Sequence, residues 1–374
     1  MRRLRLCWVL SLLFLKPVCC YAMDQETEQA QMQEILEEVN LQEADEALSQ
    51  MGMDTLTETT QEILLDDGES WLQDWKDRIL QMVIPDWSEE RAILGQAFFL
   101  ILLAALLRCV SDTTLDKSTE ELGFFICYCV LVTIFLRLFT LLASEAGERI
   151  GHLLTAFRAM LPAFFTLSAS SGEVGKTMLM GGTVIGAANI LSAFSEKYAL
   201  PLLSLSLTLE MVNCLPEKPL LQQFCALFKS CLRHGMKYAA YIFLLLLSLQ
   251  KIGGGALGAL AVKAAKIAVG AVPVVGDVLS GAVESAAAMV SALRSGVLSG
   301  AVLLLFLYGL PFLCKLGLLI LLLRLTAAFA EPFGEERLTN CITALADHIA
   351  ILMGLVFLTD GLFFFSSLLL LGEL

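Results

Sequence analysis

The stretch AVGAVPVVGDVLSGAVE, Ala268 to Glu284, interrupts two strongly apolar regions with a proline, several glycines and two acids. Pro273 has no backbone N–H and disfavours helix at the residue before it, so the sequence predicts a turn or kink there. In hydrocarbon an unsatisfied backbone group costs several kcal/mol, so a broken helix at membrane depth has to be buried in protein or face water. The stretch therefore predicts a helical hairpin over residues 253–295, either re-entrant or lying at the membrane surface.

The hairpin is predicted to contain two helices, over about residues 256–270 and 277–295, after three glycines end the preceding apolar run. A lone charge at the bilayer centre costs roughly 2.5–3.5 kcal/mol, so the hairpin charges should pair, face water or lie near an interface. The candidate pore or helix-packing residues are Lys263, Lys266, Gly270, Pro273, Gly276, Asp277, Ser280, Glu284, Ala288 and Ser291. Three interpretations stay open: small residues that only pack helices, a polar face along a water-filled path, and a lipid-binding surface hairpin.

The composition around the hairpin is that of a membrane protein. Of 374 residues, 57% are hydrophobic and 17% are charged, which favours an all-α, polytopic membrane protein over a soluble globule. Spans are predicted at residues 92–110, 122–143, 152–170, 178–194, 200–215, 238–249, 296–324 and 349–371. The run 238–249 is short for a span, and 296–324, with Pro311 and Lys315 inside it, fits one kinked span or a tight hairpin.

The N-terminal region divides into a signal and an acidic arm. Residues 1–22 combine a basic start, an apolar run and a small-residue end, which predicts a cleavable signal peptide, with an uncleaved anchor helix as the alternative. Residues 23–90 are predicted to be an exported, acidic helical region, and 91–374 a multi-span membrane domain. Residues 24–90 hold 20 acidic and 2 basic side chains, which excludes nucleic acid as a partner and favours a solvated segment or a basic partner.

An apolar stripe in the arm indicates a helix that needs a partner. Leu41, Ala44 and Leu48 recur at helical spacing, out of register with the stripe before them. This change of register argues against a hydrophobic core formed by the arm alone.

The sequence predicts no catalytic residue, no cofactor and no metal site. The run Ser171 to Thr177 resembles the end of a phosphate-binding loop but lacks its first glycine, and the three histidines are far apart. Asp360 lies alone deep in a predicted span, too few acids for an intramembrane aspartyl protease. Asp360 and Arg137, the most obvious opposite charge, are candidate intramembrane charges.

Two stretches carry a family resemblance. KAAKIAVGAVPVVGDVLSGAVE and AFAEPFGEERLTNCITALADHI, together with the signal, acidic arm and spans, resemble the stage III sporulation protein AE family of endospore-forming bacteria. The matching positions are Lys266, Gly270, Val272, Pro273, Val274, Val275, Gly276, Leu279, Ala282, Pro332 and Gly334. Glu331 stands where many relatives have glutamine.

The resemblance implies a non-enzymatic component of the channel or secretion apparatus that joins mother cell and forespore after engulfment. The protein is expected in the mother-cell membrane around the forespore, with its arm in the intermembrane space. The implied partners are other membrane proteins of the stage III A locus, a secretion-type ATPase and the lipid bilayer, with a homo-oligomer also open. A stand-alone permease for a small solute and a non-conducting assembly scaffold are the alternatives.

Overall fold

The computed structural model describes most of the membrane domain and part of the arm. The described residues are 41–51, 55–57, 59–60, 92–93, 95–96, 98–99, 117–170, 185–216, 221–269, 276–330 and 336–371. The backbone alone is described at 117–121, 124, 165–170, 246–269, 276–296, 298, 336 and 367–371. The predicted signal, residues 1–22, lies outside them, as do most of the arm and most of the predicted first span.

The described chain is helical. The helices are α1 (Gln42–Gln50), α2 (Lys117–Ser170), α3 (Leu200–Asn213), α4 (Gln222–Val269), α5 (Gly276–Ala330) and α6 (Glu336–Leu371). Helical residues 185–194 and one π-helical turn, Ser195–Ala199, lead into α3 without a break. No strand occurs among the described residues. Three helical stretches are long and apolar enough to cross a membrane: Phe125–Phe164, Ser299–Ala330 and Arg337–Ser366. The predicted all-α, polytopic architecture is confirmed.

Helix α2 joins two segments that the sequence predicted as separate spans, and that predicted break was wrong. The helix has 54 residues, about 81 Å at 1.5 Å per residue, whereas a bilayer core is about 30 Å thick. Its glycines permit close packing: a Cβ on Gly147 would lie 3.3 Å from Leu200 Cδ1, and one on Gly151 would lie 3.8 Å from Glu196 Oε1. The glycines therefore serve helix contact at this level.

Helix α4 likewise runs through the three glycines that were predicted to end the apolar run before the hairpin. It has 48 residues and joins the short run 238–249 to residues 222–237 before it and 250–269 after it. A helical glycine costs about 1 kcal/mol relative to alanine, less than leaving backbone groups unpaired in an apolar environment. For the same reason α5 passes Pro311 as one helix, so the tight hairpin considered at 296–324 does not form.

Contacts between helices define an alternating bundle. We call the end at which α2 begins the lower end and the end at which it finishes the upper end. Helix α2 is parallel to α6, because the Tyr128 hydroxyl donates to Met211 O beside Cys341 at the lower end, whereas Phe157 stacks edge-on with Phe363 at 5.4 Å at the upper end.

The remaining helices follow from their contacts with α6 and α3. Ser206 of α3 contacts His348, and Ser195, earlier in the chain, contacts Thr359, so this segment descends while α6 ascends. Gly309 of α5 lies against Asp360 and the later Arg324 meets Asp347, so α5 descends as well. Helix α4 ascends, because its early residue Lys229 contacts Glu210 near the lower end and the later Gly235 contacts Phe194 higher up.

Two hydrophobic cores fill the bundle, one above the other. The first surrounds the lower part of α2, with Phe135, Phe139 and Phe312 almost fully buried. The second surrounds the upper part of α2, with Phe157 and Phe363 almost fully buried. Aromatic side chains of this size dominate core energetics.

The acidic arm contributes to the second core. Leu41, Ala44, Leu48 and Leu56 are buried there against α2 and α5, so the predicted apolar stripe is used within the chain itself. A Cβ on Gly300 of α5 would meet Leu56, Thr59 and Thr60 at 3.4–3.5 Å. The arm is thus docked on the bundle over the residues described, and its apolar stripe is not left for an outside partner.

Asp45 ties the two described pieces of the arm together. Its carboxylate accepts from the Leu56 N–H at 2.7 Å, the Thr57 N–H at 3.2 Å and the Thr57 hydroxyl. A hydrogen-bond acceptor at the start of a helix typically stabilises it by about 1 kcal/mol.

We therefore expect Asp45→Ala to release residues 55–60 from the rest of the arm, which would be seen as faster amide hydrogen exchange at those residues. Glu46→Ala is the control, since that neighbouring acid is exposed, and equal exchange in both variants would contradict the role of Asp45.

Candidate functional site

A charge cluster lies between α2, α5 and α6 at the level where the first core gives way to the second. We call Glu145, Arg149, Tyr308, Lys315 and Asp360 the upper charge cluster. Lys315 Nζ lies 2.9 Å from Glu145 Oε2, and Arg149 Nη2 lies 3.3 Å from Glu145 Oε1. The Lys315 side chain is only 11% exposed. A lysine this buried needs a partner, because an unpaired buried charge is strongly destabilising.

Arg149 extends the cluster along α5 just before the proline. Its Nη1 donates to the Tyr308 carbonyl at 3.4 Å, and its guanidinium lies 4.8 Å from the Phe312 ring centroid. His152, one turn further along α2, lies with Nδ1 3.3 Å from the Tyr308 hydroxyl. Pro311 has no N–H to offer the Leu307 carbonyl, and the neighbouring Tyr308 carbonyl accepts from Arg149, so α2 contacts α5 beside this gap in its ladder.

Asp360 contributes a carboxyl group packed against the backbone of α5. Its Oδ2 is buried and has no hydrogen-bond partner among the described residues. The contact is close because the facing residue is glycine: a Cβ on Gly309 would lie 2.8 Å from Asp360 Cγ and closer still to Oδ2. Only glycine leaves room for the carboxyl group here.

A second set of polar side chains lies lower, between α3, α4 and α6. We call Ser206, Glu210, Lys229 and His348 the lower charge cluster. Lys229 Nζ lies 2.6 Å from Glu210 Oε1, and the other Glu210 oxygen lies 3.5 Å from His348 Nδ1. His348 is fully buried and has its two ring nitrogens 2.8 Å from the Ala344 carbonyl and 3.0 Å from the Ser206 hydroxyl.

Apolar side chains separate the two clusters. His348 and Asp360 are 12 residues apart on α6, about 18 Å along the axis. The buried residues between them include Ile349, Leu352, Leu355 and Val356, none more than 2% exposed.

The register in which Arg324 meets Asp347 and Gly309 faces Asp360 puts Lys315 level with about residue 355 of α6. The apolar stretch between the lower cluster and the Lys315–Glu145 pair is therefore about 10 Å long. We call its buried residues, Ile349 and Leu352, the dry layer.

The structure describes eight of the ten residues predicted for the hairpin, and these by the backbone alone. Lys263 and Lys266 lie on α4, and Gly276, Asp277, Ser280, Glu284, Ala288 and Ser291 lie on α5, all with the backbone alone described. Gly270 and Pro273 lie outside the described residues, so the turn between the two helices stays a prediction. The side chains of these residues lie outside the described part of the chain, so their role in a pore or in helix packing stays a prediction.

The two predicted intramembrane charges have different surroundings. Arg137 is exposed on α2, whereas Asp360 faces Gly309. Arg149, 12 positions further along α2 than Arg137, donates to the carbonyl of Tyr308, the residue next to Gly309.

Glu145 and Arg149 were not predicted as site residues, because they lie between the spans predicted at 122–143 and 152–170. A helical interpretation of SEAGERIG would have put both on one face, since they are four residues apart. Lys315 was noticed as a charge inside a span, but its partner, 170 residues away, has no local signal. Within the described ranges, no three His, Cys, Asp or Glu side chains are grouped to hold a metal ion.

Two comparisons, one with family models and one with curated proteins, point to the same family. A family model described as stage III sporulation protein AE matches residues 55–373. Stage III sporulation protein AE of Bacillus subtilis (strain 168) is 20% identical to this chain over 296 residues, which cover 79% of this chain and 74% of that protein. No solved structure matches the chain.

Proposed function

The chain belongs to the stage III sporulation protein AE family, and on this premise we propose that it is a membrane component of a channel or secretion complex between mother cell and forespore. The family supports a role in sporulation, and the three long apolar helices support a place in the membrane. The proposed role is non-enzymatic: the protein supports forespore development by forming part of an assembly. The family match over residues 55–373 is the observation that carries this proposal.

The proposed setting is the mother-cell membrane around the forespore, with the arm in the intermembrane space. The proposed partners are the other stage III A locus membrane proteins and a secretion-type ATPase, with further copies of this chain in the same assembly. The length of α4 and α5 supports such contacts, because 48 and 55 residues give helices of about 72 and 82 Å, far more than one bilayer needs.

A non-conducting scaffold is the second candidate, and the dry layer favours it. A solute crossing this bundle alone would have to pass Ile349 and Leu352, both almost fully buried. A path between several subunits avoids this layer, because it does not cross the interior of one bundle. Conduction by one isolated subunit, as in a permease, is the least supported of the three roles.

Purification from sporulating cells tests the proposal. We expect the tagged full-length chain to co-purify with other stage III A locus proteins and the ATPase, and we expect cells lacking its gene to form no heat-resistant spores. Recovery of the chain alone from sporulating cells, together with normal spore yield in the deletion strain, would reject the role. Solute uptake by vesicles that contain only this protein would instead support the permease.

Labelling of the predicted polar face separates a channel component from a scaffold. Cysteines that replace Ser280, Ala288 and Ser291 are expected to react with a water-soluble maleimide in the assembled complex if the face lines a wet path. Val283→Cys, off that face by helical spacing, is the matched control. Protection of the three polar-face positions, or equal reaction of all four, would leave the scaffold role, because only selective reaction of the polar face marks a wet path.

A further inference from the structure

The docked arm relates the two ends of the bundle to the two sides of the membrane. Leu56, Thr59 and Thr60 pack against Gly300 near the upper end, whereas α2 begins at Lys117 at the lower end. The chain between residues 60 and 117 must therefore pass from the upper to the lower end.

The predicted first span lies within this connecting segment. Its described pieces, at residues 92–93, 95–96 and 98–99, are helical. Ile93 is only 7% exposed and packs into the first core, whereas Phe98 and Phe99 are 55% and 64% exposed. A helix with one side against the bundle and aromatic side chains outside it suits a crossing in lipid.

From this arrangement we infer that the arm, the hairpin and the C-terminal end of α6 all lie on the exported side of the membrane. Helix α6 ascends to Leu371 at the upper end, and α4 ascends towards the hairpin, from which α5 descends. The lower ends of α3, α4, α5 and α6 then lie on the cytoplasmic side. The inference rests on the exported arm of the proposed function and does not depend on conduction.

The hairpin helices also extend beyond the end of α6. Phe306 of α5 stacks with Phe364 of α6, with ring centroids 5.7 Å apart, in the same antiparallel register as Gly309 and Asp360. Continued to Leu371, this register reaches α5 at about residue 299, so residues 276–298 continue past α6 for about 35 Å on an unbent helix.

The charge pattern changes at the same level. Residues 295–314 contain no charged side chain, whereas residues 251–294 contain Lys251, Lys263, Lys266, Asp277, Glu284 and Arg294. Charges are costly in hydrocarbon, so their return marks a segment that leaves it. Residues 276–298 therefore extend out of the hydrocarbon on the exported side, and the hairpin does not re-enter the bilayer.

Cysteine labelling of the full-length chain, made in vegetative cells with its native cysteines replaced, tests this topology. Gln50→Cys on the arm, Gln223→Cys at the start of α4 and Asn340→Cys near the start of α6 are all at exposed positions. We expect a membrane-impermeant maleimide to label only the first in intact protoplasts, and the other two only after permeabilisation. A scan of residues 283–286 covers one helical turn of the hairpin and is expected to contain at least one position that reacts in intact protoplasts.

Two further measurements cover the C-terminus and the docked arm. An alkaline phosphatase fused after Leu374 is expected to be active, since it folds only when exported. Thr60→Cys with Gly300→Cys is expected to form a disulfide, because the two positions are in contact and the exported side is oxidising. Gly186→Cys replaces Gly300→Cys in the control pair, since a Cβ added at Gly186 would have nothing within 4 Å.

Several outcomes would overturn the inference. Labelling of Gln223→Cys or Asn340→Cys in intact protoplasts, a protected hairpin scan, an inactive phosphatase fusion or no disulfide would each do so. Loss of co-purification with the stage III A proteins would reject the proposed complex while leaving this topology in place, so the two proposals fail separately.

Discussion

Lys315→Met is expected to lower the free energy of unfolding by about 1.5 to 3 kcal/mol, because it removes a charge-assisted hydrogen bond from the Glu145 carboxylate. Lys315 is 11% exposed, and its ammonium group lies 2.9 Å from that carboxylate. Arg149 remains on the other oxygen of Glu145 and limits the loss. Denaturant unfolding of the detergent-solubilised protein measures the change.

A matched control exists on the same helix. Arg324 also pairs with an acid of another helix, but the side chains of Arg324 and Asp347 are 61% and 39% exposed, so Arg324→Met should cost less than about 1 kcal/mol. The double variant Glu145→Met with Lys315→Met should be more stable than the sum of the two single changes predicts, because it leaves neither charge without the other. Similar losses in the Lys315 and Arg324 variants would show that burial of the first pair contributes nothing.

Gly309→Ala is expected to destabilise the protein by about 1 to 3 kcal/mol, the usual cost of forcing extra atoms into a packed site. The new methyl group would lie 2.8 Å from Asp360 Cγ, so α5 and α6 would have to separate or the carboxyl group would have to move. Thermal unfolding in detergent, followed by circular dichroism, measures the effect.

Gly354→Ala is the control for that substitution. It lies on α6 with nothing within 4 Å of an added Cβ, so alanine should stabilise the helix by about 0.5 to 1 kcal/mol. Gly309→Ala combined with Asp360→Ala should recover most of the loss, because the clashing carboxyl group is then absent. A Gly309→Ala variant as stable as the unchanged protein would show that the two helices do not need this close contact.

Several features were predictable from local patterns. The apolar runs predicted a helical membrane protein, and the spacing of Leu41, Ala44 and Leu48 predicted the buried stripe of the arm. Helix ends were predicted less well. The gap between the spans predicted at 122–143 and 152–170 and the three glycines at 253–255 suggested breaks that are absent, because a helix surrounded by apolar groups has no alternative partner for its backbone.

The partners of the buried charges could not be predicted from the residues next to them in the sequence. Lys315 and Glu145 are 170 residues apart, and Asp360 depends on a glycine 51 positions earlier. Such pairs form only when α2, α5 and α6 lie side by side in one register. The same limit applies to the arm, whose stripe predicted a partner without indicating that the partner is the chain's own bundle.

Helical structure and membrane character follow from the order of the amino acids alone, because apolar runs of this length can pair their backbone groups only within a helix. Which charge meets which, and where the arm docks, follow from the packing of long helices. Antiparallel and parallel contacts bring together residues more than a hundred positions apart, and close approach at Gly309 and Gly300 sets the register in which they meet.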